Sequence, residues 1–438
     1  VNVEKPQTEP KPPLPRLRSN LFFALVGRGY LALTQLGMIM VTAHLGQIEE
    51  VGALALATAV VTPLFFLASL GMREVHTVDD LTHFSRADYV ALRFVGGILA
   101  LALTVLLAVT VFAQAGAIVQ YSLVLLALVR FFGTQSDLNH GMFQRAERLD
   151  FVAWSIFVRG SAGFLAFAVA FWIWRNLPVA LCCQAAAWAL AYRVADLRLL
   201  ERLGQRVAWA DLWKTDHRKL LRLAWWLLPV GVALLLSRGA ISVPSIVLER
   251  SAGLAAIGLF GALVYVHTAL NMVANTLGSA TSARLRLYIR DGQHENLRWL
   301  MRWMIGGAFT LAAAAVTVAW VFGEPILTLV FGREYAAREL FTVIVMGSSL
   351  TLLATPFITL LTAAQVLWVR FAIASVSFCA SVGASLLLIP AYGVMGAGWA
   401  FVLTCGAQLV AACVATLWCR SSIRGNTLTW SNSYEAQR

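Results

Sequence analysis

The sequence predicts an all-α integral membrane protein of about twelve transmembrane helices, and three observations carry that prediction. Of the 438 residues, 59% are hydrophobic and only 13% charged, against about 45–50% and about 25% in soluble globular chains. Mostly apolar stretches near the roughly 20 residues that cross a bilayer recur along almost the whole chain. The basic residues, finally, gather in alternate connections between those stretches.

The apolar runs fall at 20–45, 51–71, 89–112, 115–140, 151–173 and 177–199, then at 223–247, 252–281, 303–323, 340–363, 368–389 and 393–418. With the N-terminus inside, the cytoplasmic segments together with the inner ends of the adjoining runs hold 25 Lys and Arg and the opposite segments only Arg175, Arg250, Arg333 and Arg338. The positive-inside rule then predicts N-in and C-in. Trp225, Trp226, Trp299, Trp303 and Trp368 stand at inner ends and Trp172, Trp174 and Trp320 at outer ends, as interfacial belts do.

The expected organisation is a cytoplasmic tail (1–19), a six-helix lobe (20–199), a basic linker (200–222), a second six-helix lobe (223–418) and a cytoplasmic tail (419–438). The first tail leads into a run too long for the apolar core of a signal peptide. In the linker, Trp209, Leu212, Trp213, Leu220 and Leu221 could lie as an amphipathic segment on anionic lipid. The net charge of +12 sits in short loops, with no long basic face interleaved with aromatics, so no nucleic-acid partner is expected. The six cysteines lie in or beside apolar runs without CxxC spacing, so neither a metal nor another cofactor is expected.

The halves repeat weakly. His44-Leu45-Gly46-Gln47-Ile48-Glu49-Glu50-Val51-Gly52-Ala53-Leu54 parallels the segment from Glu249 to Leu259, each following the first helix of its half. Two such lobes around a central site are a common transporter plan.

Polar residues at helical spacing inside a span must face protein or water. Arg28, Gln35 and Thr42 share a face of the first span, and Thr58 and Thr62 one of the second. Arg238, Ser242, Ser245 and Glu249 do so in the seventh, and Thr268, Asn271 and Asn275 in the eighth, with His267 one turn before Asn271. Single hydroxyls commonly bond back to their own helix. Arginine is harder to explain away, at about 2.5–3.5 kcal/mol each at the bilayer centre on insertion scales. Arg28, Arg130 and Arg159 lie about 10–15 Å from the inner face at about 1.5 Å per residue, within snorkelling range. Arg238, about 17 Å in, is the best candidate to line a watery cavity. Asp137 shares a face with Arg130, predicting an ion pair, and Asp137 and Glu249 are the carboxylates available for ion coupling. Ser377, Ser381 and Ser385, spaced by four, read as helix-packing positions.

Several segments are similar to one family. They are Gly27-Arg28-Gly29, Ala43-His44-Leu45-Gly46, the loop from Phe143 to Asp150, Leu228-Pro229-Val230-Gly231, Phe331-Gly332-Arg333-Glu334-Tyr335 and the segment from Ile389 to Ala397. In order and spacing the chain resembles the O-antigen and related polysaccharide-export flippases of the multidrug/oligosaccharidyl-lipid/polysaccharide (MOP) superfamily. The resemblance implies a MATE-like fold with an alternating-access cavity between the lobes. It implies an undecaprenyl-diphosphate-linked oligosaccharide moved from the cytoplasmic to the outer leaflet of a bacterial inner membrane. Its partners would be the bilayer, that lipid and the polysaccharide polymerase and chain-length machinery. Arginine, whose planar fork grips phosphate oxygens, makes up 30 of the 34 basic residues. A drug or organic-cation extruder would want membrane carboxylates instead, and a membrane glycosyltransferase a larger outer loop. No phosphate-binding GxxxxGK[ST] loop is present.

Overall fold

The computed structural model describes residues 17–78, 84–208, 211, 215–364 and 366–419. Residues 1–16 and 420–438 of the tails, Trp209, Leu212, Trp213 and the side chain of Arg28 lie outside what is described. The described chain is helical nearly throughout, because a backbone in lipid must satisfy its own N–H and C=O groups.

In order, the helices are α1 (Leu17–Leu45), α2 (Ile48–Ser69), a short α3 (Met72–Val78), α4 (Arg86–Thr110), α5 (Ala117–Arg145), α6 (Leu149–Trp174) and α7 (Leu177–Arg202). The helical run His217–Arg290 breaks at Gly253, whose φ of 77° only glycine adopts readily, into α8 (217–252) and α9 (254–290). Next come α10 (His294–Phe331) and α11 (Arg338–Ala363). Leu367–Trp418 breaks at Gly393, φ 55°, into α12 (367–392) and α13 (394–418). Nine described stretches are long and apolar enough to cross a membrane, two of them being these broken pairs, and Gly29–Leu45 of α1 is apolar as well. With both breaks and α1 counted, the described residues hold twelve apolar helices, in line with the twelve apolar runs. The short α3 was not foreseen, and several helices run past their apolar cores into basic ends, as α9 and α10 do. The tryptophans expected at the interfaces are exposed in the isolated chain, from Trp368 at 54% to Trp225 at 77%.

Helices α1, α2 and α4–α7 pack among themselves, as do α8–α13. Ser381 Oγ donates to Ala240 O at 2.6 Å, and Ser377 and Ser385 are buried. The serine run of α12 is therefore a packing face against α8. Between the lobes the broadest contact is α2 against the α8–α9 unit, and its geometry explains two glycines. A Cβ on Gly52 would collide with Leu254 O, and one on Gly258 with Ile48 O, while each would sit 3.2 Å from the other glycine's nitrogen. The contacts are reciprocal, as a two-fold relation between the halves demands. They place Ile48 opposite Leu254 in role and Gly52 opposite Gly258. The repeat is thus shifted by one residue from the alignment read off the sequence.

This crossing closes the lobes at the end of the bundle farthest from Leu17 and Trp418. His44 Nε2 lies 3.1 Å from Val330 O across the same seam, above the buried rings of Phe331 and Tyr335. Burial first, then Glu334 and Glu49, raises the pKa of the Tyr335 hydroxyl, which stays protonated.

Candidate functional site

Below that seal, polar side chains from the two lobes face one another. Arg238 of α8 is exposed to solvent although it lies about 20 Å from the sealed end, at about 1.5 Å per residue. Its guanidinium carbon sits 4.6 Å from the centre of the Phe66 ring of α2, a cation–π contact across the lobe boundary. Exposure at that depth, against the opposite lobe, means that Arg238 borders a space between the lobes. Arg130 of α5 approaches from the other side at similar depth, where its Nη2 donates to Thr62 Oγ1 at 3.4 Å. It lies within electrostatic reach of Tyr265 and Arg238. Tyr265 Oη in turn donates to Gln35 Oε1 at 2.9 Å, tying α9 to α1. Among the described residues neither Arg130 nor Arg238 has an acidic partner. Thr268 and Asn275 of α9 are exposed and Asn271 half-buried, on the helix whose Tyr265 meets Gln35 of the other lobe.

Several expected lining residues do not face it. Thr42 is fully buried and bonds back to Met38 O at 2.9 Å. Thr58, half-buried, does the same to Leu54 O at 2.8 Å. Ser242 and Ser245 are buried. A hydroxyl is content with its own helix, so its periodicity does not tell water from a neighbouring helix. Arg159 is also interior: it is buried, donates to Gly133 O at 3.1 Å and stacks 4.7 Å from the Trp188 ring. Glu249 is half-buried near the sealed end of α8.

The Arg130–Asp137 pair is not formed. Asp137 Oδ1 accepts from Arg73 Nη1 at 2.8 Å, and Arg93 Nη2 lies 3.9 Å from its Oδ2. Seven residues on one helix face are separated by about 10 Å along the axis, and the unforeseen α3 places Arg73 nearer. An Asp137→Asn variant therefore reports on how α3 is held rather than on ion coupling.

A second buried polar group joins α5, α6 and α7. Ser155 Oγ bonds both Asp196 Oδ1 and His140 Nε2, the latter at 2.8 Å, and all three residues are buried. Asp196 closes a π-helical turn, Tyr192–Asp196, which rotates α7 and turns this carboxylate inward. Arg159 lies within electrostatic reach. His140 and Asp196 both fall inside predicted spans, where an ionisable residue is a functional candidate by default; that signal could have found them.

Four of the segments that carry the family resemblance are architectural. Arg148 grips Asp150 through two hydrogen bonds of 2.9 and 2.7 Å and lies over the Phe151 ring, closing the loop into α6. Gly231 packs against Leu67 O and Leu70. Gly332, at φ 103°, turns the chain beside His44, and Gly393 makes the α12–α13 break.

Taken together, the broken-helix pairs, the reciprocal glycine crossing and the two lobes make up a fold shared with solved MATE transporters of the MOP superfamily. One solved structure it matches is an inward-facing multidrug-resistance MATE transporter of that superfamily. The TM-score is 0.66 and the identity 16%, over 91% of this chain and 96% of that one. An outward-facing MATE transporter matches with TM-score 0.63 and 15% identity over 93% and 95%. A MOP transporter from Pyrococcus furiosus matches with TM-score 0.59 and 17% identity over 92% and 94%; it is described as having a binding pocket of reverse polarity that suggests a different function. By sequence, the chain is 23% identical to the capsular polysaccharide biosynthesis protein CapF of Staphylococcus aureus, over 86% of this chain and 93% of that protein. No protein-family model matches the chain.

Proposed function

We propose that this protein is a flippase for a polyprenyl-diphosphate-linked oligosaccharide, undecaprenyl diphosphate being the expected carrier, that works by alternating access. The observation that carries the reading is the pair Arg130 and Arg238, on opposite lobes, bordering one space without acidic partners among the described residues. Uncompensated arginines in a membrane are costly, and a diphosphate supplies the missing anion with oxygens matched to the guanidinium fork. The Asn271, Asn275 and Thr268 face suits sugar hydroxyls. CapF by its name serves capsular polysaccharide biosynthesis, and the reverse-polarity pocket of the Pyrococcus transporter parallels a site built from arginine. A drug or organic-cation antiporter on the same fold would need a free carboxylate in the space; Asp137 is engaged by Arg73, and Glu249 lies toward the seal.

In this reading the diphosphate enters between the lobes from the cytoplasmic leaflet, and both arginines close on it. The α2–α9 seam then opens to the outer leaflet of a bacterial inner membrane. No bond is made or broken, so the protein is a carrier rather than an enzyme. Polymerase and chain-length machinery would take up the exported lipid.

The test is direct. Purified protein in proteoliposomes should equilibrate a fluorescent undecaprenyl-diphosphate disaccharide between leaflets, read as quenching by an impermeant reductant beyond the half that is accessible at once. Organic-cation efflux with no effect on that lipid would replace this reading with the antiporter.

Orientation has its own check. In a background without native cysteines, single cysteines replacing Glu49 and Arg333 should react with an impermeant thiol reagent added outside intact spheroplasts. Cysteines replacing Gln205 and Gln293 should react only after permeabilisation. Reversed labelling would put the seal on the cytoplasmic side and invert the proposed direction.

A further inference from the structure

His267 lies within the membrane on α9, buried at 3% exposure, and makes no contact that diphosphate binding requires. Its hydrogen bonds nonetheless form an ordered chain. Ser348 Oγ of α11 donates its only proton to Ile344 O at 2.8 Å. The same oxygen, 3.2 Å from His267 Nδ1, is thereby left to accept, so Nδ1 carries the ring proton. The opposite nitrogen, Nε2, lies 2.7 Å from Asn271 Nδ2, which can only donate, so Nε2 accepts and the ring is neutral. The ring is held edge-on against Phe401, 5.0 Å between centroids, and it cannot rotate without losing both bonds. The consequence falls on Asn271. One of the two Nδ2 protons goes to His267, which fixes the amide plane and with it the direction of the carbonyl oxygen, on the helix face that carries the exposed Thr268 and Asn275.

We infer that His267 is a positioning residue that fixes the Asn271 amide as a hydrogen-bond acceptor for a sugar hydroxyl of the cargo, so that α9 reads the glycan while Arg130 and Arg238 hold the diphosphate. The inference rests on the flippase reading above and divides the ligand between two sets of residues. The division has a chemical logic. The arginines offer only donors and recognise any diphosphate, whereas a glycan brings hydroxyl protons that an ionised diphosphate lacks, and a fixed carbonyl oxygen accepts them. An amide free to rotate would present either atom and discriminate less.

The experiment compares two probes on the purified full-length protein: undecaprenyl diphosphate, and the same lipid carrying a disaccharide. In Asn271→Leu the disaccharide lipid should bind roughly fivefold to tenfold more weakly, the loss of about one neutral hydrogen bond, while undecaprenyl diphosphate binds as in wild type. His267→Phe keeps a ring against Phe401 and should show the same selective loss. The double variant should be no worse than Asn271→Leu alone, since His267 acts through Asn271. Ser348→Ala, which removes the acceptor for Nδ1 and keeps the ring, should shift affinity in the same selective direction and serves if His267→Phe fails to accumulate. Equal weakening of both lipids, an unchanged disaccharide affinity, or additive losses in the double variant would each overturn the proposal. Failure of the wild type to bind either lipid would instead overturn the flippase reading, and this inference with it.

Discussion

Replacing Arg238 with alanine should abolish surface glycan while the protein remains in the membrane at normal abundance. The side chain is exposed between the lobes, stacked on Phe66 and without an acidic partner among the described residues, so its removal leaves no buried counter-charge stranded. On the proposed flippase reading, what is lost is a bidentate, charge-assisted contact to the diphosphate. At about 1.5–3 kcal/mol for a hydrogen bond to a charged group, two such bonds correspond to roughly 100-fold weaker binding or more. Arg238→Lys should recover only part of this, because an ammonium supplies charge without the planar fork. Arg130→Ala should resemble Arg238→Ala in transport, with some loss of stability because its guanidinium also binds Thr62. Glycan export is read by surface staining and gel profile, and abundance by immunoblot. Normal export in Arg238→Ala would make this arginine a structural one, braced on Phe66, and leave the diphosphate without its C-lobe contact.

The contrast between Arg238 and Arg159 shows what the sequence carries and what it does not. Both are arginines inside apolar runs, and insertion cost flags both equally. Depth set Arg238 apart in the sequence, since a residue too far in to snorkel needs water or an anion nearby. Only the structure shows that Arg159 turns away, onto Gly133 O and Trp188. The twelve passes were legible because lipid allows so few alternatives, and the lobes because the halves repeat. The register of that repeat slipped by one, since Gly52 and Gly258 are matched by a backbone collision in space that neighbouring Ala and Leu residues mimic in sequence. Face periodicity put Asp137 with Arg130 but carries no axial distance, and nothing in the pattern announced α3. Asp196 was not singled out in the sixth span, because a π-helical turn leaves no mark on hydrophobic spacing.

Flipping in proteoliposomes should respond to an imposed membrane potential without any proton or sodium gradient. A lipid diphosphate carries roughly two negative charges, and the cell interior is negative, so export moves the anion toward the positive side. Each charge gains about 2.3 kcal/mol per 100 mV over the full potential. Two charges therefore gain about 4.6 kcal/mol, a bias of roughly a thousand-fold or more. Arginines that move with the lobes return on reset, so over a complete turnover only the charge on the cargo counts. The carboxylates that could instead couple an ion are poorly placed for it, with Asp137 held by Arg73 and Glu249 near the sealed end. Glu249→Gln should accordingly keep most activity. The serious rival is Asp196, buried with Ser155 and His140 where three N-lobe helices meet. The measurement is leaflet exchange under a potassium diffusion potential of either sign, with pH equal on both sides. Inside-negative potential should speed outward movement and inside-positive potential oppose it. If a pH gradient drives exchange at zero potential, and Asp196→Asn removes that response in a protein of unchanged melting temperature, then export is proton-coupled through the N-lobe. The substrate's own charge would then be incidental to the driving force.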